Sequence, residues 1–230
     1  MEESFAYDNM NRLTGVSLGM TPTGAMTYDD YGRMTAKTAD VCAVFSNAMY
    51  NLTSKPHAMD KAVTPAGVFP STPQAITYTG FDKVLKVKQG SDSLVYSYGY
   101  DRQRIAMEEH VGNIIRTKHY VGACEYVTET NGNVTVSKKL TYLRGPFGVF
   151  AVVEHRNGVD NLHYILKDNL GSWTMITDEE GNVEQRLSYD AWGNLRNPAT
   201  WSGSFRGTPM FDRGYTGYEH ITEYKHEQSQ

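Results

Sequence analysis

Histidine and cysteine are the side chains of this chain that could bind a metal ion or pair as base and nucleophile. His110 and His119 flank a Gly-Asn turn and, with Glu108, would offer three ligands to zinc. Cys124 follows His119 by five residues, so a thiol and an imidazole could meet. The sequence nevertheless has no His-x-x-x-His pair, no Cys-x-x-Cys pair and no Asp-rich loop. We therefore predict no catalytic residue, no metal and no cofactor. We expect the histidines to lie on strands, at the surface or half-buried, and Cys124 to be a small buried hydrophobic residue.

Aspartates that follow a tyrosine form a second candidate set for chemistry. Asp8, Asp29 and Asp190 each have this position, and three carboxylates could serve acid–base catalysis. Their shared context favours structure instead, because an Asp after a strand can accept backbone N–H groups two residues further on. Gly32 and Gly193 then supply the left-handed position that closes the turn. We predict that each Asp belongs to a separate turn.

Three tryptophans leave two interpretations open. Trp173, Trp192 and Trp201, together with the tyrosines, could form a stacking platform for glycans. Aromatic side chains at a fixed offset in a β-repeat more often stack along one face and hold the layers together. The sequence alone does not choose between these roles.

Composition excludes several classes of partner. The 230 residues carry 22 Lys and Arg against 26 Asp and Glu, a net charge of −4, so we expect no nucleic-acid partner. We expect no membrane insertion, because no apolar run approaches the roughly 20 residues of a spanning helix.

The start Met1-Glu2-Glu3-Ser4 lacks the positive charge that begins a signal peptide. Cys42 and Cys124 permit one disulfide at most.

Two ladders of residues share a period of about 22 and predict hairpin repeats. One ladder is formed by tyrosines: Tyr7, Tyr28, Tyr50, Tyr78, Tyr98, Tyr120, Tyr142, Tyr164, Tyr189 and Tyr215. The other consists of turn glycines about half a period away: Gly90, Gly112, Gly132, Gly158 and Gly181. Asn131-Gly132 between alternating β-formers predicts a type I′ hairpin turn. One repeat is therefore expected to be two antiparallel strands of about 6–9 residues, with the tyrosine rings stacked into a column.

Several motifs resemble the tyrosine-aspartate (YD) repeat and the Rhs repeat-associated core. The YD repeat is resembled by Phe5-Ala-Tyr-Asp-Asn-Met-Asn-Arg-Leu-Thr14 and Met26-Thr-Tyr-Asp-Asp-Tyr-Gly-Arg-Met-Thr35. The Rhs core is resembled by Tyr164-Ile-Leu-Lys-Asp-Asn-Leu-Gly171, Thr177-Asp-Glu-Glu-Gly-Asn182, Arg186-Leu-Ser-Tyr-Asp-Ala-Trp-Gly-Asn194 and Gly214-Tyr-Thr-Gly-Tyr-Glu219. Lys55-Pro-His57, Ile76-Thr-Tyr-Thr79 and Tyr98-Gly-Tyr-Asp101 are similar to the variant found in Bacteroidetes. The resemblance covers nearly the whole chain.

The resemblance implies an all-β fold of antiparallel hairpin repeats in a curved, spiralling sheet, an open segment of an Rhs-type shell. It also implies a non-catalytic scaffold, the wall and incomplete core plug of a shell that encapsulates a C-terminal toxin used in bacterial competition. The partners would be the rest of the Rhs polypeptide and a toxin domain absent from this chain. The alternative function is a cell-surface carbohydrate-binding module. We expect a secreted or cell-surface parent protein, and edge-to-edge self-association through open strands.

The closing Asp-Pro and Gly-Arg-Phe motif of the family is absent after Glu219, so we expect an incomplete core. The predicted organisation is one repeat domain: YD repeats at 1–40, a degenerate repeat with a Pro-rich excursion at 41–75, hairpin repeats at 76–160, a core-like segment at 161–219 and a frayed tail at 220–230. The predicted structural residues are Tyr7, Asp8, Tyr28, Asp29, Gly32, Arg33, Tyr98, Asp101, Gly132, Tyr164, Asp168, Gly171, Gly181, Tyr189, Asp190 and Gly193. Possible glycan contacts are Trp173, Trp192 and Trp201.

Overall fold

The computed structural model describes residues 2–39, 44–50, 59–64 and 74–220. Most of the predicted Pro-rich excursion, Cys42 and the predicted tail beyond His220 lie outside these residues. The regular structure of the described chain is β-strand, as the repeat pattern predicts, apart from one short 3₁₀ turn, η1 (Tyr215–Gly217). It contains no helix long and apolar enough to cross a membrane. The chain divides into two compact units, Met1–Ser71 with Leu187–Thr208, and Thr72–Arg186 with Pro209–Gln230.

The first unit contains three small antiparallel groups of strands. Its strands are β1 (Glu3–Tyr7), β2 (Leu13–Leu18), β3 (Thr21–Tyr28), β4 (Met34–Ala39), β5 (Ser46–Tyr50), β6 (Met59–Val63), β18 (Ser188–Tyr189) and β19 (Leu195–Arg196). The first four form a sheet in chain order, while β5 pairs with β6 and β18 with β19. Within this unit, an ion pair joins Arg196 to Glu3.

The second unit is built on one 11-stranded antiparallel sheet whose strands follow in chain order. The strands are β7 (Ala75–Tyr78), β8 (Val84–Gln89), β9 (Asp92–Tyr98), β10 (Arg104–Val111), β11 (Ile114–Val121), β12 (Cys124–Asn131), β13 (Val134–Gly145), β14 (Gly148–Arg156), β15 (Val159–Lys167), β16 (Trp173–Thr177) and β17 (Val183–Arg186). Each strand from β8 to β16 pairs with the strands before and after it, so the predicted fold of antiparallel hairpins is confirmed. The strand lengths run from 4 to 12 residues, a wider range than the period predicts.

Two-residue turns close many of the hairpins. The turn at Gly132 differs in type from the predicted one. Gly132 and Asn133, not Asn131 and Gly132, lie between β12 and β13. Gly132 has a φ of 59°, whereas Asn133 has no positive φ, the pattern of a type II′ turn and not of type I′. Asn157 and Gly158 both have positive φ, at 53° and 78°, as a type I′ turn requires. The sequence signal thus finds the Gly132 hairpin but misplaces its register by one residue.

Replacing Gly132 by valine is expected to destabilise the second unit by about 1–2 kcal/mol, because a β-branched residue is strained at positive φ. A Cβ at Gly132 would meet no atom within 4 Å, so backbone strain is the only cost. Gly80 offers a matched control, since its φ is not in the strained range and its Cβ would also meet nothing. Urea unfolding of Gly132→Val and Gly80→Val measures the difference. Equal midpoints would contradict the turn.

The core of the second unit lies on one face of the large sheet. Leu94, Tyr96 and Met107 form a buried cluster on β9 and β10. Further along the sheet, Val152 on β14 and Ile176 on β16 are fully buried. Because side chains alternate between the two faces of a strand, this apolar face also fixes which charged residues point inward.

Candidate functional site

A five-residue turn recurs eight times in the described chain, and the aspartates that follow tyrosines open three of these turns. In each turn the first residue's N–H donates to the fifth residue's carbonyl, and the fourth residue's N–H donates to the first residue's carbonyl. The fourth residue has a φ between 59° and 87° in every case. The turns are 8–12, 29–33, 79–83, 99–103, 168–172, 178–182, 190–194 and 214–218. Gly32, Gly171, Gly181 and Gly193 occupy the fourth position.

The Asp side chain holds the turn from within. The Oδ1 atom of Asp8 accepts the backbone N–H groups of Met10 and Arg12, each at 2.9 Å. Asp29, Asp168 and Asp190 accept the equivalent pair of N–H groups in their own turns. These turn hydrogen bonds, with the adjoining arginine, lower the pKa of Asp8 below its ordinary value. An anionic carboxylate occupied in this way is a structural acceptor.

The Tyr98 turn differs from the predicted motif. Gly99 is its first residue, and Arg102 takes the fourth position with a φ of 62°. Asp101 is the third residue, and its Oδ1 accepts the N–H of Gln103 at 3.0 Å. The Asp of this repeat is thus displaced by two positions from the slot that Asp8 and its equivalents occupy.

Arginines connect successive tyrosine repeats in the first unit. The Arg12 side chain donates to Asp8 Oδ2 at 2.6 Å, and its guanidinium lies 4.7 Å from the centre of the Tyr28 ring. Arg33 repeats this geometry one period later, with Asp29 as its ion-pair partner and the Tyr50 ring 4.7 Å away. Guanidinium groups therefore lie against two rings of the predicted tyrosine ladder, Tyr28 and Tyr50.

Tyrosine hydroxyls tie neighbouring strands together. Tyr28 donates to the Leu13 carbonyl at 2.8 Å, and Tyr98 donates to the Val84 carbonyl at 2.6 Å. In both cases the acceptor is the first residue of the preceding strand, so the hydroxyl ties the end of one strand to the start of the strand before it. Tyr7 and Tyr164 are instead exposed at 59% and 39%, and Tyr189 lies half-buried on the short strand β18.

The three tryptophans have different environments. Trp173 is only 1% exposed and packs against Phe211 and Tyr142, so its indole belongs to the core of the second unit. Trp192 and Trp201 line one cleft of the first unit, and Trp192 remains 41% exposed. Only the latter two are therefore placed where a ligand could reach them.

A buried cluster of charges lies on the core face of the large sheet. Arg116, Lys118 and Tyr120 alternate along β11 and so share one face. Glu125 stands opposite Tyr120 on β12. The Lys118 side chain is 1% exposed, and its Nζ lies 3.5 Å from Glu125 Oε2. A charge at this depth requires several partners to offset its lost hydration.

Residues 209–220 supply those partners. Lys118 Nζ donates to Asp212 Oδ2 at 2.9 Å and to Glu219 Oε1 at 2.5 Å. Tyr120 Oη lies 2.9 Å from both oxygens of Glu219. Arg104 on β10 reaches the same carboxylate at 2.8 Å. These contacts join positions about a hundred residues apart in the sequence.

Arg213 makes the reverse contact, from the segment to the sheet. Its Nη2 donates to Glu125 Oε1 at 2.6 Å, and its guanidinium lies 4.7 Å from the Tyr142 ring centre. Tyr142 in turn donates to Glu125 Oε2 at 3.0 Å. Glu125 is therefore held by a guanidinium, an ammonium and a phenol. The segment and the sheet exchange charges in both directions, which fixes the register of docking.

Apolar and backbone contacts complete the docking of residues 209–220. Phe211 is buried, with its ring edge-on to Trp173 at 6.0 Å between centres and to His163 at 5.4 Å. The backbone N–H of Trp173 donates to the Gly214 carbonyl at 3.1 Å, and the backbone N–H of Thr216 donates to Ser172 Oγ at 3.2 Å. We call this assembly, from Arg104 to Tyr142 on the sheet and 209–220 above it, the ionic dock.

The ionic dock shifts several pKa values. Burial would raise the pKa of Asp212, but the Lys118 ammonium and the Arg116 guanidinium outweigh it and lower that pKa. Burial would lower the pKa of Lys118, but Asp212, Glu219 and Glu125 outweigh it and raise that pKa well above 10.5. Burial and the Glu219 charge both raise the pKa of Tyr120. All three shifts favour the ion-paired state at neutral pH, with an anionic Asp212, a cationic Lys118 and a neutral phenol.

These directions predict how stability depends on pH. A lowered Asp212 pKa contributes stability above 3.8, which is lost as pH falls through the folded-state value. A raised Lys118 pKa contributes stability below 10.5, which is lost only as pH rises beyond that value. The melting temperature is therefore expected to change little from about pH 5 to about pH 9 and to fall below about pH 4. Thermal unfolding across this range measures it, with Asp212→Asn expected to melt lower at pH 7 and to lose part of the acid dependence.

Sequence reasoning assigned no role to the charged residues of the ionic dock. Lys118 and Glu125 occupy inward-facing strand positions, as the register with buried Met107 and Leu140 shows. A charged residue in phase with a buried apolar row is the signal that could have found them. Asp212 and Glu219 carry no such signal, because the segment around them has no strand period.

Comparison with known proteins rests on structure. The chain matches no protein-family model, and no curated protein matches its sequence. Crystal structures of TcdB2-TccC3, alone and with Cdc42, each superpose with a TM-score of 0.71 at 16% identity, covering 96% of this chain. A Photorhabdus luminescens Tc holotoxin pore carrying a TccC3 mutation gives a TM-score of 0.65 at 16% identity over the same share. This chain spans only 13% of the length of those chains. At this identity the similarity establishes the fold alone, and that fold is consistent with the Rhs type expected from the motifs.

Proposed function

We propose that this chain is a non-catalytic scaffold, a segment of the wall of an Rhs-type shell, in which residues 209–220 form part of the core plug. The protein to which it belongs would enclose a C-terminal toxin domain used in bacterial competition and would be secreted or held at the cell surface. The observation that carries the proposal is the ionic dock, in which a non-repetitive segment is fixed onto one face of a long repeat sheet. The fold similarity to Tc toxin chains supports the same role.

Open strand edges support a wall segment over a self-contained domain. β7 and β17 each pair on one side only within the 11-stranded sheet of the described chain. All four residues of β7 are exposed, including Tyr78 at 60%. An unpaired strand edge accepts a further strand, here expected from the rest of the same polypeptide. Without that strand, edge-to-edge self-association remains the prediction for the isolated chain.

The charged groups of the ionic dock support a non-catalytic role. A general acid or base requires a proton that can move near neutral pH. Lys118 and Asp212 have pKa values shifted away from neutrality, because each faces opposite charges. Their arrangement favours stable ion pairs over proton transfer.

The direct test of the proposed function is cryo-electron microscopy of the protein at its natural full length. We expect this stretch to form part of a β-sheet wall around an enclosed volume that holds further polypeptide, with 209–220 on the inner or closing surface. A compact particle without an enclosed volume would contradict the encapsulating role.

The alternative role, a carbohydrate-binding module, depends on Trp192 and Trp201, since Trp173 is buried.

A further inference from the structure

Two tyrosines that end strands are more exposed than others in the same position. Tyr7 ends β1 and is 59% exposed, and Tyr78 ends β7 and is 60% exposed. Tyr28 and Tyr98, which end β3 and β9, are half-buried. Within the described chain, β1 and β7 pair only with the strand that follows them, whereas β3 and β9 pair on both sides. In these four cases the ring is covered where a strand precedes its own and open where none does.

The surroundings of Tyr28 show what covers such a ring. The Arg12 guanidinium is held by Asp8 at 2.6 Å and lies 4.7 Å from the Tyr28 ring centre. Arg12 Nη1 also donates to the Asp29 carbonyl at 3.2 Å. The Tyr28 hydroxyl donates to the Leu13 carbonyl at 2.8 Å. The preceding turn thus supplies a cation for the ring, a donor for the next turn and an acceptor for the hydroxyl.

A second copy of this arrangement lies one period later. The Arg33 side chain donates to Asp29 Oδ2 at 2.7 Å, and its guanidinium lies 4.7 Å from the Tyr50 ring centre. The Tyr50 hydroxyl donates to the Met34 carbonyl at 2.7 Å. In both copies the arginine is the fifth residue of a five-residue turn, and the accepting carbonyl belongs to the residue after it, which begins a strand. The two copies define one docking geometry.

The Tyr98 repeat of the second unit separates the general part of this geometry from the specific part. The turn before Tyr98 has Lys83 as its fifth residue. The Tyr98 hydroxyl still donates to the carbonyl of the following residue, Val84, at 2.6 Å. The Phe81 ring, however, lies edge-on to the Tyr98 ring at 5.5 Å between centres. The hydroxyl bond is therefore shared by all three repeats, whereas the guanidinium distinguishes the two repeats of the first unit.

Tyr7 presents the receiving half of the first-unit geometry. Among the described residues, its phenol has no hydrogen bond and no cation against its ring. The Asp8 carbonyl accepts the N–H of Asn11 at 2.9 Å, and a carbonyl oxygen has a second lone pair. The equivalent carbonyl of Asp29 accepts a turn N–H and the Arg12 side chain together. The ring, the hydroxyl and the carbonyl that an arginine-bearing turn contacts are thus all in place.

We propose that the open edge of β1, with Tyr7, is the docking site for a further hairpin repeat whose turn carries arginine as its fifth residue. The incoming strand pairs with β1, whose residues 4–7 are all exposed, and its guanidinium covers the Tyr7 ring and donates to the Asp8 carbonyl. Arginine suits this site because its planar guanidinium stacks on a ring while its N–H groups donate at the edge. The inference rests on the wall role proposed above, since the occupant is a repeat of the same polypeptide.

The test adds such a repeat to the full chain. An N-terminal extension that copies residues 8–21 in front of residue 1 gives the copied arginine the same spacing from Tyr7 as Arg12 has from Tyr28. Hydrogen–deuterium exchange of the peptide that covers β1 is the measurement, because pairing protects the amides that face away from β2. We expect this exchange to slow at least about tenfold. The effect should not depend on protein concentration, because the pairing occurs within one chain.

A double-mutant cycle isolates the contribution of the arginine. Methionine in place of the copied arginine keeps the side-chain length and removes the guanidinium, so the gained protection should fall about threefold or more. Tyr7→Leu in the extended chain should cause a similar fall, after which the methionine change should have no further effect. Unchanged exchange of the β2 and β3 peptides certifies the fold of each variant.

The outcomes separate this site from the wall role. Equal protection with the copied arginine and with methionine overturns the arginine site, while strand addition at an open edge, which the wall role requires, stands. An extension that gives no protection overturns the docking of a repeat on β1, and the wall role is then decided by electron microscopy of the full-length protein. Protection that disappears on dilution also overturns the proposal, because it comes from pairing between two copies of the chain.

Discussion

Replacing Lys118 by methionine is expected to destabilise the second unit by about 3–5 kcal/mol, the usual cost of removing one partner from a buried ion pair. Methionine keeps most of the length of the side chain, so the packing loss is small. The substitution leaves Asp212, Glu219 and Glu125 facing each other without the ammonium that lies within 3.5 Å of all three. Because these carboxylates are also held by arginines, we expect the unit to remain folded at low denaturant.

Urea unfolding of the full chain measures this effect, with tryptophan fluorescence as the probe, to which the buried Trp173 of the second unit contributes. Lys88→Met is the matched control, since Lys88 is exposed on β8 and should change stability by less than about 0.5 kcal/mol. The double variant Lys118→Met with Glu219→Gln should lose less than the sum of the single losses, because the two side chains are in contact. Equal midpoints for Lys118→Met and Lys88→Met would show that the ionic dock does not form.

Replacing Trp173 by alanine is expected to cost about 3–5 kcal/mol, as for other fully buried large aromatic residues. The indole fills the space between the sheet and residues 209–220, with Phe211 and Tyr142 at ring-centre distances of 6.0 and 6.4 Å. Its removal leaves a cavity that the sheet cannot close, because Ile176 on the same strand is already fully buried. The loss should therefore loosen the dock as well as the sheet.

The matched control is Trp192→Ala, at the tryptophan that is 41% exposed. Lys37 Nζ lies 4.6 Å from its ring centre, and a cation–π contact of this kind contributes about 0.5–1 kcal/mol. Circular dichroism during urea unfolding reports both variants without relying on the deleted fluorophore. Similar losses for Trp173→Ala and Trp192→Ala would contradict the assignment of Trp173 to the core.

Local sequence signals could predict the hairpin architecture because the interactions that create it are local. The Asp8 turn is closed within five residues by its own backbone and carboxylate, so its sequence specifies its shape. The predicted position of the Gly132 turn is off by one residue. Asn131-Gly132 favours a type I′ turn, whereas the observed turn at Gly132-Asn133 is type II′. The alternation of apolar and polar residues on the flanking strands does not distinguish these two turn positions, because residues 134–137 beside the turn are all exposed.

The pairing of residues in the ionic dock could not be predicted, because the partners are distant in sequence. Arg104 and Glu219 are separated by 115 residues, and no repeat relates them. The different roles of Trp173 and Trp192 have the same origin, since the burial of Trp173 depends on Phe211 from the docked segment. Which tyrosine ring Arg12 and Arg33 each cover likewise depends on strand register.

Hydrogen–deuterium exchange of the full chain, followed by mass spectrometry of peptides from residues 209–220, tests the docking of this segment most directly. The amides of Gly214, Gly217 and His220 donate to backbone carbonyls, so we predict slow exchange in the native chain. In Lys118→Met we predict faster exchange there, while peptides from β14 and β15 remain protected. Exchange of 209–220 at the rate of an unstructured peptide in the native chain would contradict the ionic dock and the plug role proposed from it.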